Sequence, residues 1–165
     1  VAASRGEKIN KQEVVDMFYR YLAVLISLVL SSTAFAATEE VSNTTYGVVI
    51  EQAREVKMEN GTVVMTGGLI HGSSVQDNGE VNSQWCRGSS VMGDDGMPVA
   101  GGGYCTIIGQ NGDMMFVWFG GGKWGVIGGT GAWAGATGGG TTEPVSQNPD
   151  GYAWVNRSQG TITTP

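Results

Sequence analysis

The only histidine of the chain, His71, stands in the stretch LIHGSS, just ahead of Ser73 and Ser74. An imidazole titrates near neutral pH, so beside a hydroxyl it can serve as a general base to a nucleophile. The register derived below puts no acidic residue on its face to orient the ring, as a triad would require. A lone histidine on an apolar face is more often a satisfied core residue, and His71 reads first as that. Arg54 is the second candidate, a cationic hook for an anion, and these two are the only catalytic candidates the sequence offers.

The glycine-rich stretches suggest phosphate chemistry until they are spelled out. In IGGTGAWAGATGGGT, Ile127 to Thr141, the residues Gly129, Gly131 and Gly135 are spaced one position too widely for a dinucleotide fingerprint, and no helix follows to receive a pyrophosphate. GGGKW, Gly120 to Trp124, lacks the Ser or Thr that a phosphate loop needs after its lysine. The Asp-Gly and Asn-Gly pairs do not follow the spacing of a calcium loop. Cys86 and Cys105 fit no zinc pattern. The sequence thus calls for no cofactor and no metal.

The address is clearer than the chemistry. From Met17 the chain reads MFYRYLAVLISLVLSSTAFA, with Arg20 as the positive end, Tyr21 to Leu30 as the apolar centre and Ala34-Phe35-Ala36 as a small-x-small cleavage pattern. Residues 1–36 are read as a signal segment, with 1–16 upstream of the true start at Met17, and 37–165 as one domain. The apolar run of ten residues is too short to span a bilayer, which takes roughly 18 or more. After cleavage no membrane span remains. The expected location is secreted or periplasmic, where a disulfide between Cys86 and Cys105 can persist.

From Ala37 onward five Lys/Arg stand against twelve Asp/Glu, a formal charge of −7. Nucleic-acid binding, which rests on neutralising phosphates, is excluded. The oligomeric state is left open.

The elements that position these residues are strands. Apolar residues do not recur at helical spacing, and the many glycines would each cost a helix about 1 kcal/mol against alanine. Asn60-Gly61, Asn78-Gly79, Asp95-Gly96 and Asn111-Gly112 recur as hairpin turns. Read as two-residue loops, they fix who faces whom. Cys86 meets Cys105, within the reach of a disulfide. Gly88 to Ser90 meet Gly101 to Gly103, which in turn meet Gly120 to Gly122. Gly67-Gly68 meet Ser89-Ser90, and a turn at Gly129-Thr130-Gly131 sets Gly120 to Gly122 against Gly138 to Gly140. These clusters form one belt across five strands, a line where long strands bend.

The fold expected is an all-β, antiparallel up-and-down meander of seven or eight long strands closing into a small barrel. Seven strands are clear, at about 46–58, 62–77, 80–94, 97–110, 113–128, 132–143 and 152–164. An up-and-down meander of seven would close with a parallel pair, so either an eighth strand is hidden or the barrel stays open.

Because the register fixes the faces, it also selects an interior. One face is almost wholly apolar and carries five of the six methionines after Ala37. Its candidate ligand-binding residues are Tyr46, His71, Gln84, Phe116, Trp118 and Trp124, with Arg54 at belt level. Methionine adapts its shape to apolar ligands but also fills ordinary cores. N-glycosylation sequons begin at Asn43, Asn60 and Asn156.

VIGGTGAWAGATGGG, Val126 to Gly140, resembles the G-G-T-G-x-aromatic-x-G hairpin of the allene oxide cyclase and dirigent β-barrel group, in particular its exported bacterial members. Cys86-Arg87-Gly88 and Gly103-Tyr104-Cys105 match their C-x-G and G-x-C stretches. The likeness covers Trp85 to Gly140. It implies an eight-stranded antiparallel barrel with an apolar lumen, and none of the family's catalytic residues has a motif-level match here. The function expected is an exported barrel that binds a small apolar molecule in its interior. A cyclase or isomerase guided by shape and desolvation, and a structural module with a filled core acting through its surface, are the alternatives.

Overall fold

The computed structural model describes residues 36–165. The signal segment read over residues 1–36 falls, up to Phe35, outside the described residues. Nine strands run in sequence: β1 (Ala37–Glu51), β2 (Arg54–Lys57), β3 (Val63–Gln76), β4 (Val81–Met92), β5 (Pro98–Ile108), β6 (Met114–Gly120), β7 (Lys123–Gly129), β8 (Thr137–Gln147) and β9 (Ala153–Thr164). All neighbours are antiparallel, and β1 lies between β9 and β3. Eight strands therefore close a barrel, and β2 extends it as an extra strand on the lower end of β3.

Closure comes from two features that the sequence conceals. The expected strand 113–128 is two strands, β6 and β7, folded at Gly121 and Gly122, whose φ angles are +59° and +72°. GGGKW is thus a hairpin turn and supplies the missing eighth strand. In addition, β1 begins at Ala37 rather than near residue 46, and its first half lies along β9. The expected tight turn at Gly129-Thr130-Gly131 is replaced by a longer connection with a short 3-10 turn at Gly131–Trp133. That connection inserts Ala136, 2% exposed, into the barrel end.

The four Asn/Asp-Gly turns are hairpins, but each loop has three residues, not two. The ladders close with Met58 N–H to Thr62 O, Gln76 N–H to Glu80 O, Gly93 N–H to Met97 O and Gly109 N–H to Asp113 O. Gly61, Gly79, Gly96 and Gly112 take the left-handed conformation that completes a type I turn plus bulge. The side-chain oxygen of Asn60, Asn78, Asp95 and Asn111 accepts the N–H two residues ahead at 2.9–3.1 Å. That local bond favours the type I turn over the two-residue alternative.

One residue per loop decides which side chains are inside. A strand has a side-chain period of two, so a shift of one exchanges its faces. Ile70, not His71, lies opposite Cys86, and Val117, not Trp118, lies opposite Cys105. The pairing of Cys86 with Cys105 is as expected, because a bulge at Val99 restores the register that the longer loop removed. The row Val49, Ile70, Cys86, Cys105, Val117 and Val126 points inward, next to the row Gly47, Gly72, Gln84, Ile107 and Met115. The methionines are redistributed with it: Met115 is buried at 6% exposure and Met58 and Met97 are more than half exposed, whereas Met65 keeps its place on the inner face.

The glycine belt holds between β4 and β5, where Gly88 faces Gly103 and Ser90 faces Gly101. On either side it is displaced by a residue, Gly68 facing Gly88 and Gly102 facing Gly120, and glycines within and outside the belt also leave space for rings. Phe119 lies over Gly88, Trp124 over Gly160 and Trp154 over Gly47, each where a Cβ would press on the ring. A Cβ at Gly160 would come within 2.7 Å of the Trp124 ring, with backbone of β8 on its other side. Gly160→Ala is therefore expected to destabilise the barrel by about 1–3 kcal/mol through overpacking, checked by urea denaturation. An unchanged midpoint would show that both the Trp124 ring and the β8 backbone at Gly139 and Gly140 can give way.

The two barrel ends differ. At the end carrying the chain's C-terminus, Met115, Val117, Ala136 and Ile162 form a packed core with Val41, Ile107, Val126 and Trp133 against it. The lumen beside it is polar, with Thr45, Ser74, Asn82 and Gln84 buried. At the other end the barrel has a mouth.

Candidate functional site

The mouth is built where four elements leave off. Val49 lies near the end of β1, and Gln52 and Ala53 turn the chain into β2. Met65 and Ile70 come from β3, on either side of a bulge at Gly67 whose φ is +80°. Phe119 comes from β6, and Asp150 and Tyr152 come from the turn joining β8 to β9. Together they line an open cleft of about 430 Å³, within the range of roughly 300–1,000 Å³ typical of small-molecule sites.

Its walls are apolar: Val49, Met65, Ile70 and Phe119, with glycine backbone at Gly68, Gly88, Gly101 and Gly102. Glycine there lets the lining approach backbone directly. Below lies the disulfide row, the Cα atoms of Cys86 and Cys105 being 4.0 Å apart.

The rim is polar and held by the β8–β9 turn. The N–H of Val49 donates to the carbonyl of Tyr152 at 2.8 Å, and the Gln52 Nε2 amide donates to the Tyr152 hydroxyl. The Asp150 carboxylate accepts the Tyr152 N–H at 3.0 Å, so it shapes the turn as well as facing the cavity. Asp150 and Tyr152 are the only acidic or phenolic side chains of the lining. Chemically, the mouth can shield an apolar body and offer an amide, the Ser90 hydroxyl, a phenol and a carboxylate to a polar handle.

The residues singled out from the sequence fall in three places. Gln84 and Trp124 are inside, as expected; Gln84 is buried on the polar wall, and the Trp124 indole donates to the carbonyl of Thr141 at 3.2 Å. Neither lines the mouth. Tyr46, His71, Phe116 and Trp118 are on the outer face, a correction that follows from the three-residue loops. Tyr46 is 51% and Trp118 41% exposed, and the His71 ring stacks against Trp85 with centroids 4.2 Å apart. Ser73 shares that outer face while Ser74 is buried in the lumen, so LIHGSS assembles no base and nucleophile pair with an orienting acid. Arg54 is exposed on β2 opposite Thr66, away from His71.

Gln52, Asp150 and Tyr152 were not legible as site residues. Asp150-Gly151 has the same turn chemistry as the other four hairpins, a positive φ of 72° at glycine and a side-chain bond to the N–H two ahead. That signal was available, but only the closed barrel brings the turn over the mouth. Of the sequons, Asn60 lies in the exposed β2–β3 turn, whereas Asn43 and Asn156 share the lumen face with Thr45.

Among the described residues no group of three or more His, Cys, Asp or Glu is placed to hold a metal. No helix there is long and apolar enough to cross a membrane.

No protein-family model matches the chain, and no curated protein sequence matches it. Solved structures do. The pterocarpan synthase dirigent protein GePTS1 superposes with a TM-score of 0.50 at 11% identity, over 81% of this chain and 88% of that one. The pterocarpan synthase dirigent protein PsPTS1 gives 0.49 at 11% identity, over 78% and 96%. The chain has the closed, eight-stranded antiparallel β-barrel fold of the dirigent proteins.

Proposed function

We propose that this protein is an exported barrel that binds a small, predominantly apolar molecule at its mouth. The supporting observation is the open cleft of about 430 Å³ between Phe119, Ile70, Val49 and Met65, rimmed by Gln52, Asp150 and Tyr152. A ligand of this kind carries a hydroxyl or carbonyl toward the rim and an apolar ring or chain toward Phe119. The disulfide supports export, since such bonds persist in oxidising compartments. Inside the barrel the Trp124 ring lies over Gly160 and the Trp154 ring over Gly47, which supports binding at the mouth rather than through the whole lumen.

A second reading is favoured by one pair of residues. Asp150 and Tyr152 put a carboxylate and a phenol on the same cavity, enough to steer a reactive intermediate toward one cyclisation product while the apolar wall excludes water.

The test is native mass spectrometry of the exported protein, purified without stripping, followed by displacement of anilinonaphthalene sulfonate from the delipidated protein. A co-purified apolar molecule, with Tyr152→Ala weakening probe binding about tenfold, is the expected result. A clean mass together with no saturable probe binding would favour a filled structural module. Turnover of an offered epoxide or radical-derived substrate, lost in Asp150→Asn, would favour the enzyme.

A further inference from the structure

The outer face carries a second, separate concavity. Between β3, β1 and β9 runs an open groove of about 530 Å³. Its walls are Tyr46 and Val48 of β1, His71 and Ser73 of β3, and Ala153 and Val155 of β9, with Ser146, Gln147 and Asn148 of β8 and its following turn closing one side. The residues of β1, β3 and β9 alternate outward, and the lumen side chains Thr45, Gln84 and Asn156 are not part of it. The groove is thus independent of the mouth, which shares none of these residues.

Its chemistry is unusual for this chain. In a protein with net charge −6, no aspartate, glutamate, lysine or arginine lines the groove. What lines it is a half-exposed phenol ring, an apolar floor and a rim of hydroxyl and amide groups. An ionic ligand finds no counter-charge in the groove, and the exposed Gln147 amide with the hydroxyls of Ser73 and Ser146 offers a polar rim to a ligand that carries hydroxyls of its own. A pyranose ring fits both parts, because it presents a C–H face to an aromatic ring and a belt of hydroxyls to amides.

The groove also has a direction. From Val48 the outer row continues through His71 to Trp85, whose rings stack at 4.2 Å. Beside it on the next two strands lie Tyr104 and Trp118, directly opposite each other and 66% and 41% exposed. Outward-facing rings therefore occupy β1, β3, β4, β5 and β6, exposed at Tyr46, Trp85, Tyr104 and Trp118 and half-buried at His71, at strand spacings of about 4.8 Å. The nearest charge on this path, Arg87, is paired with Glu51 at 3.3 Å. A line of rings across five strands matches an extended chain better than a single compact molecule.

We propose that the outer face binds a neutral oligosaccharide, anchored in the groove at Tyr46 and continued over His71, Trp85 and Tyr104. The test is a fluorescence titration of the intact exported protein with cellohexaose, maltohexaose, xylohexaose, mannohexaose and chitohexaose. Saturable change of tryptophan emission with at least one of them is expected. Tyr46→Ala should weaken it about tenfold or more while Tyr46→Phe retains it, since stacking carries the contact. Phe119→Ala, at the mouth, should leave it unchanged. The proposal is overturned if no hexasaccharide saturates at concentrations up to about 10 mM, or if Tyr46→Ala binds as the parent does. Sedimentation showing a self-associated protein that Tyr46→Ala dissociates, without sugar binding, would instead assign the face to a second copy of the chain.

Discussion

Replacing Cys86 and Cys105 together by alanine is expected to lower the melting temperature by roughly 10 °C. The two cysteines are 19 residues apart, and closing a loop of that size removes about 3 kcal/mol of denatured-state entropy. For a domain of this length, each kcal/mol shifts the midpoint by about 3–4 °C. Position adds to the effect. Cys86 is 3% exposed and sits in the inward row with Ile70 and Val117, so alanine there also leaves a small void. The row lies directly beneath the mouth, and loosening it should weaken ligand retention in parallel. Calorimetry of the parent, the double variant and the reduced parent measures this. Equal midpoints for all three, or free thiols recovered from an oxidised preparation, would remove the disulfide from the account of stability.

The second large effect contrasts two neighbours. Phe119 faces the lumen over Gly88, and Trp118 faces outward over Gly125. Phe119→Ala removes a ring from the floor of the mouth and is expected to cost about 3 kcal/mol, with probe binding at the mouth falling at least about tenfold. Trp118→Ala deletes the larger side chain, yet it should cost about 1 kcal/mol or less, because the indole is already 41% exposed. It should leave mouth binding intact. The reverse ranking would mean that β6 is inserted one residue out of register, and every assignment of inner and outer faces on β6 would have to be exchanged.

That ranking is also where the sequence misleads. Reading Asn111-Gly112 as a two-residue loop puts Trp118 in the row of Cys105 and makes it a lumen residue. The structure has a three-residue loop, with the Asn111 carboxamide oxygen bonded to the Asp113 N–H at 3.0 Å, and Phe119 takes the inner place. The same slip moves His71 and Tyr46 outward, while Gln84 and Trp124 stay inside. Trp124 stays because the unexpected hairpin at Gly121-Gly122 resets the count between β6 and β7.

By itself the sequence determined the class of fold, the places of most of its turns and the Cys86–Cys105 pairing. Those are local signals: glycine after Asn or Asp, β-branched and aromatic runs, and two cysteines flanking one turn. The tertiary structure alone decided which face is the interior, that β1 reaches β3 to close the barrel, and that Tyr152 and Asp150 of a distant turn complete the mouth. The reason is the two-residue period of a strand. It turns an uncertainty of one residue in a loop, or one bulge at Val99 or Gly67, into the exchange of inside for outside, and only the closed ladder fixes that parity.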